Sequence, residues 1–224
     1  MDNEAPVRRI SFYNNPFIGL FFRANDEFAL APKNTPEKIL GLAQEALKVP
    51  IVRAFVDQSP LLGVYVAMNS KGCVLPSFAA AEERALLKKR GLNVFLLDEH
   101  GACGNNILAN DKGALVNPRI SKKAAAGISD ALGVEVFQQQ PLSGVCTFGS
   151  ANVVTNRGLL AFNETPEAEL KRMEQVFGVK GGTGSVNFGS AYCGTGVVAN
   201  KFGALLGAST SGFESQRVYE ALFG

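Results

Sequence analysis

One histidine, no tryptophan and no Cys-x-x-Cys pair set the first limits on this chain of 224 residues. His100 stands alone, and Cys73, Cys103, Cys146 and Cys193 are separated by 30, 43 and 47 residues, so the spacing of a structural zinc site is missing. The scattered cysteines also lack the framework of a small secreted domain and point to a reduced, cytoplasmic compartment. No apolar run approaches the roughly 20 residues that span a bilayer. No apolar signal core follows Met1, and residues 1–6 are expected to form an unstructured leader. Net charge is only +2, which argues against a general nucleic-acid binder. The glycine-rich stretch Lys180–Val186 has no Gly-Lys-Ser/Thr ending and opens no helix, so it is not a phosphate loop.

What the chain does have is a repeated phrase of strand, tight turn and strand. It occurs around Asn25, Asn69, Asn110, Asn156 and Asn200, with separations 69−25=44, 110−69=41, 156−110=46 and 200−156=44. A period of this size marks a repeat architecture, in which each unit is too small to bury a core alone. Asparagine tolerates left-handed dihedrals and bonds its own backbone, and a glycine two or three residues later follows in four of the five phrases.

Each phrase leads into a helical pattern and a third strand. Repeat one predicts strands near Ile18–Arg23 and Phe28–Ala31, then a helix capped by Thr35 with Pro36 at its first position. Ile39, Leu40, Ala43, Ala46 and Leu47 share one face of that helix, and Ile51–Val56 is the third strand. Repeat two predicts strands at Gly63–Ala67, Gly72–Leu75 and Asn93–Leu97 around a helix over Ala79–Arg90. Lys88, Lys89 and Arg90 suit that helix's C-terminus better than an RNA contact. Repeat three predicts Ile107–Ala109, Ala114–Val116, a helix from Ser121 to Gly133, and Val134–Gln138. Repeat four predicts Ala151–Thr155, Gly158–Phe162, a helix opened by Thr165-Pro166-Glu167 and ended by Gly178, and a weak strand in Lys180–Val186. Repeat five predicts Gly196–Ala199, Ala204–Leu206 and a helix from Ser211 to Phe223, with Ser211 and Glu214 at capping-box spacing.

Repeat five thus lacks its last strand, while the N-terminus has one to spare, Val7–Tyr13. The two defects cancel if the first strand completes the last repeat and closes a ring. The expected fold is an α/β, five-fold pseudosymmetric propeller of strand-strand-helix-strand units. It forms one domain over 1–224, with repeats near 14–58, 59–101, 102–145, 146–189 and 190–224, the last closed by strand 7–13. The helical stripes exclude an all-strand propeller of similar period. That ring is the pentein architecture.

The motifs carry the reading further. Asn14-Asn15-Pro16-Phe17-Ile18-Gly19-Leu20, the run Gly104-Asn105-Asn106 through Leu115-Val116, Leu132-Gly133-Val134-Glu135-Val136-Phe137 and Gly194-Thr195-Gly196-Val197-Val198-Ala199-Asn200 resemble translation initiation factor 6, in its archaeal branch. The resemblance runs from about Arg8 to Gly224 and implies a non-enzymatic, monomeric, cytoplasmic protein with no cofactor or metal. It implies binding to the joining face of the large ribosomal subunit, beside the sarcin–ricin loop, through a ribosomal protein and nearby rRNA. Binding there prevents association with the small subunit. Release by a GTPase and its partner protein belongs to the same implication. The implied contact surface is the set of loops entering each repeat: Asn15 and Phe17, Leu62 and Gly63, Gly104 and Asn105, Gly149 and Ser150, Tyr192 and Cys193. Val64 stands where eukaryotic relatives carry an arginine. Charge reversal at the turn residues Lys71 and Lys112, at the opposite end, is expected to have little effect on that binding.

A competing class exists. Other penteins act on guanidino compounds with a late cysteine nucleophile, a histidine and paired carboxylates. Cys193 and His100 are the candidates here, but His100 sits in Asp98-Glu99-His100-Gly101 without the expected acid two residues later. Cys103, Cys146 and Cys193 recur near entry loops, as small packing residues do.

Overall fold

The computed structural model describes residues 6–224, leaving aside 139 and 142. The first strand, β1, is Val7–Ile10. Repeat one follows with a 3-10 turn at Ile18–Leu20, β2 (Arg23–Ala24), β3 (Ala29–Pro32), α1 (Glu37–Leu47) and β4 (Ile51–Ala54). Repeat two is α2 (Leu62–Tyr65), β5 (Ala67–Met68), β6 (Gly72–Pro76), α3 (Ala81–Lys89) and β7 (Asn93–Leu97). Repeat three is α4 (Cys103–Asn106), β8 (Ile107–Ala109), β9 (Gly113–Val116), α5 (Lys122–Leu132) and β10 (Glu135–Phe137). Repeat four is α6 (Phe148–Ala151), β11 (Val153–Val154), β12 (Gly158–Phe162), α7 (Glu167–Phe177) and β13 (Lys180–Gly184). Repeat five is α8 (Cys193–Gly196), β14 (Val197–Ala199), β15 (Ala204–Gly207) and α9 (Gly212–Phe223).

Five three-stranded sheets result, each with its second strand in the middle, antiparallel to the first and parallel to the third. β1 is the third strand of the fifth sheet, pairing parallel with β15 from Val7↔Ala204 to Ile10↔Gly207. The ring closes as expected, giving a pentein-like α/β fold. Pro6, the one residue of the expected leader within the described range, takes part, since its carbonyl accepts from Ala204 N. Among the described residues, no helix is long and apolar enough to cross a membrane.

Every apolar core sits between neighbours rather than inside a repeat. Leu108 and Leu115 of repeat three pack with Phe148, Leu159, Met173 and Phe177 of repeat four, and the other junctions are built alike. Three devices hold a helix onto the preceding sheet. The turn asparagine donates to a carbonyl in the helix's last turn: Asn69 to Leu132 O, Asn110 to Phe177 O, Asn200 to Leu47 O. A cation two residues on binds the helix-terminal carbonyls, as Lys71 does to Gly133 O, Lys112 to Gly178 O and Arg157 to Phe223 O. A glycine three residues on leaves room for the helix backbone; a Cβ on Gly113 would lie 2.3 Å from Val176 O. Lys71 and Lys112 thus contribute to the seams between repeats, a structural role the sequence did not single out.

Between repeats one and two all three devices are missing. Asn25 Nδ2 reaches only Asn69 O, the next residue but one is Glu27, and Phe28 fills the glycine position. Helix α3 stands off the sheet there, and a cleft of about 300 Å³ opens between the end of β4 and α3, floored by Phe55 and Leu86.

Several local expectations are corrected. The entry segments are strand only in part: Ile18–Arg23 and Gly63–Ala67 open within short helical turns, while Ala151–Thr155 and Gly196–Ala199 begin on the last residue of theirs. Helix α1 starts at Glu37 with Pro36 as an extended N-cap (ψ 144°), and the Thr35 hydroxyl is buried without a partner. Pro166 does the same before α7. Ser121 and Ser211 cap as expected, Ser211 with Glu214 in a reciprocal box. In repeat four the equivalent of the turn asparagines is Thr155, not Asn156. Its Oγ1 accepts from Arg157 N and Gly158 N, as Asn110 Oδ1 accepts from Lys112 N and Gly113 N.

Candidate partner-binding face

The strand directions sort every connection to one of two ends. First strands run from the one-turn helices to the Asn turns; second and third strands run back. One end therefore collects the one-turn helices, the starts of the long helices and the turns after the third strands. The other collects the Asn turns.

The one-turn helices close into an inner ring built on glycine. A Cβ on Gly63 would fall 1.7 Å from Gly19 O, on Gly104 2.1 Å from Gly63 O, and on Gly149 2.0 Å from Gly104 O. On Gly194 it would fall 2.2 Å from Gly149 O, and on Gly19 2.1 Å from Gly194 O. No side chain fits at any of the five, because neighbouring backbones touch there.

Five of the ten candidate residues are buried in this ring or just beneath it: Leu62, Gly63, Gly104, Gly149 and Cys193. They shape the surface without offering side chains to it. Phe17 and Tyr192, the N-cap residues of their short helices, are 36% and 43% exposed. Asn15, Asn105 and Ser150 are partly exposed; Asn15 Oδ1 accepts from Phe17 N at 2.8 Å and so sets the Phe17 loop. Val64, in α2, adds no charge to this end.

The structure adds residues that the sequence did not single out. Among the described residues, the large exposed hydrophobics are Tyr13, Phe17, Phe78, Phe188, Tyr192 and Phe213; five lie in connections at this same end, and Phe213 lies in the first turn of α9, which starts there. Phe188 is 86% and Phe213 73% exposed. Tyr13 and Phe188 sit at φ 47° and 65° in the tight turns after β1 and β13. Aromatic residues rarely adopt that conformation, and here it turns the ring outward. All but Phe78 belong to repeat five and its two junctions. The turn motifs Tyr13-Asn14 and Asn187-Phe188-Gly189 were the available signal.

The opposite end is polar and tied shut. Asn156 Nδ2 donates to both Asp26 Oδ2 and Asp111 Oδ2 at 2.6 Å, linking repeats one, three and four across the mouth of the central channel. Asp26 also accepts from Lys201 N, and Asp111 from Ser70 N.

The alternative nucleophile is poorly placed for chemistry. Cys193 is fully buried, and its Sγ donates to Gly184 O at 3.2 Å. Burial pushes its thiol up to about 12, against the thiolate that catalysis needs. Cys73 and Cys103 are raised to about 12 by the same cause.

Comparison with known proteins supplies the family. The model described as the eIF-6 family matches residues 7–221. The chain belongs to the eIF-6 family. It is 39% identical over 215 residues to translation initiation factor 6 of Methanospirillum hungatei, covering 96% of this chain and 97% of that protein. It is 36% identical over 217 residues to translation initiation factor 6 of Thermoplasma acidophilum, covering 96% and 99%. The Pyrobaculum arsenaticum protein of the same name is 35% identical over 223 residues, covering 99% and 100%.

Proposed function

We propose that this eIF-6 family member is a cytoplasmic, monomeric ribosome anti-association factor and not an enzyme. Its glycine-ring end binds the joining face of the large ribosomal subunit, contacting a ribosomal protein beside the sarcin–ricin loop and the adjacent rRNA. Occupying that face keeps the small subunit away. A GTPase and its partner protein release it. The observation that carries the reading is the gathering of all six exposed large hydrophobics at one end. Aromatic anchors on an otherwise polar surface are the usual centre of a protein interface. Of the candidate residues, Asn15, Phe17, Asn105, Ser150 and Tyr192 make the contact, while Leu62, Gly63, Gly104, Gly149 and Cys193 hold its shape.

The test is co-sedimentation with purified large subunits at fixed salt, with a subunit-joining assay on sucrose gradients. Asn105→Lys and Tyr192→Asp are expected to weaken binding at least tenfold while leaving the circular dichroism unchanged, because each places a charge at a desolvated contact. Wild-type protein that neither pellets with large subunits nor blocks joining would overturn the reading.

A further inference from the structure

The central channel holds a charge with no counter-charge. Its wall is built from the first strand of each repeat, and the residue two before the turn residue faces the same layer in all five. That position is Ala67, Leu108, Val153 and Val198 in repeats two to five, all buried and apolar. In repeat one it is Arg23.

Arg23 reaches past repeat two, where Ala67 leaves room, and Nη2 donates to Gly104 O of repeat three at 3.4 Å. That is one long bond for a group with five donors. The side chain lines a cavity of about 40 Å³ in the middle of the channel, together with Phe22, Met68, Asn152 and Val197. Arg23 is the one charged residue among those lining it. Asn152 is committed on both sides, donating to Phe148 O and accepting from Phe162 N.

The carboxylates at the Asn-turn mouth are already engaged. Asp26 and Asp111, at the Asn-turn mouth, accept from Asn156, Lys201 N and Ser70 N, and Asp26 lies 3.7 Å from Lys201 Nζ. Neither forms an ion pair with Arg23. Burial lowers the Arg23 pKa to about 10, so the guanidinium still carries its charge at neutral pH. Arg23 is part-buried, and a charge held there without a partner carries a desolvation cost that a mobile ion of opposite sign relieves.

We propose that the channel is an anion site centred on Arg23, and that it takes a small monovalent anion of chloride size. The space decides the class. A cavity of about 40 Å³ for water-sized centres holds a few waters or one halide with waters, and nothing as large as a nucleotide. A single guanidinium offers one positive charge, which suits a singly charged ion over a dianion. Bound there, the ion neutralises the group that ties repeat one to the glycine ring at Gly104. The site is independent of ribosome binding.

Two measurements test it. In the first, thermal unfolding is compared in sodium chloride and in sodium gluconate at equal ionic strength and pH, gluconate being too large to enter. With chloride at tenfold excess over its dissociation constant, the wild-type midpoint is expected to be higher by roughly 3 °C. Arg23→Met replaces the charge by an apolar chain of similar length and is expected to abolish that difference. In the second, wild-type crystals grown in bromide are expected to show an anomalous peak within hydrogen-bond distance of the Arg23 guanidinium. A chloride effect that persists in Arg23→Met, or bromide data with no peak in the channel, would overturn the proposal. The diffraction arm decides even if the variant fails to fold.

Discussion

Asn110 gives the sharpest test of how the ring is held. Through Oδ1 it accepts from Lys112 N at 2.9 Å and Gly113 N at 3.1 Å, which closes its own turn. Through Nδ2 it donates to Thr155 O at 3.1 Å and Phe177 O at 3.0 Å, which joins repeat three to repeat four. It is 4% exposed, so water cannot replace a lost partner without rearrangement. At about 1 kcal/mol net per hydrogen bond, Asn110→Ala is expected to cost roughly 4 kcal/mol. Asn110→Thr keeps an acceptor for the turn and loses both donations, so it should cost roughly 2 kcal/mol. Repeat four already runs this experiment, since Thr155 Oγ1 accepts from Arg157 N and Gly158 N at 3.0 Å. The assay is urea unfolding of the three proteins, read as a change in midpoint at constant slope. If threonine costs as much as alanine, the turn acceptances contribute nothing and the two-part account of this side chain is wrong.

Other expectations follow from particular contacts. Gly104→Ala should unseat the inner ring, because its Cβ would meet Gly63 O at 2.1 Å, whereas Gly41→Ala, with nothing within 4 Å, should stabilise helix α1 by about 0.5–1 kcal/mol; the two melting curves decide. Burial would raise the Glu214 carboxyl, but hydrogen bonds from Ser211 and Gly189 N–H groups and the Ser185 and Ser211 hydroxyls outweigh it and hold it at about 2. A folded pKa below the ordinary 4.5 means stability that is full above pH 4.5 and lost as pH falls toward 2; Glu214→Gln should flatten acid unfolding in that window. Helix α3, without the three seam devices, should show faster amide hydrogen exchange than α5 and α7, and equal protection would contradict the account of the first seam.

How much of this was legible depends on the range of the interaction. The period, the number of repeats and the closure by the first strand, read as Val7–Tyr13 and found as Val7–Ile10, were readable, because a turn asparagine and its following glycine are local requirements of backbone geometry. The register of repeat four was read one residue late. Asn156 looks like its counterparts, but Thr155 performs the same two acceptances, and only the hydrogen-bond partners tell them apart. The one-turn helices were missed because three or four residues carry no periodicity. At the candidate face, Phe17 and Tyr192 were visible beside glycine-rich motifs, while Tyr13, Phe188 and Phe213 were passed over because each is an isolated aromatic in its own segment.

By itself, then, the sequence determined what local chemistry can determine: where the chain turns, where helices start at Ser121 and Ser211, and that each unit needs its neighbours. Apart from the ring closure, the tertiary structure decided what depends on residues 40 or more positions apart. It converted Gly19, Gly63, Gly104, Gly149 and Gly194 from turn residues into a ring of touching backbones. It set Arg23 across the channel from Gly104, and it brought the aromatics of four repeats to one end. The physical reason is closure. A repeat in an open array meets its neighbours through contacts that recur along the chain, but a closed ring also joins repeat five to repeat one and sets non-adjacent repeats facing across its axis. The spare first strand encodes the joining of repeat five to repeat one, but no pattern along the chain encodes the pairings across the axis.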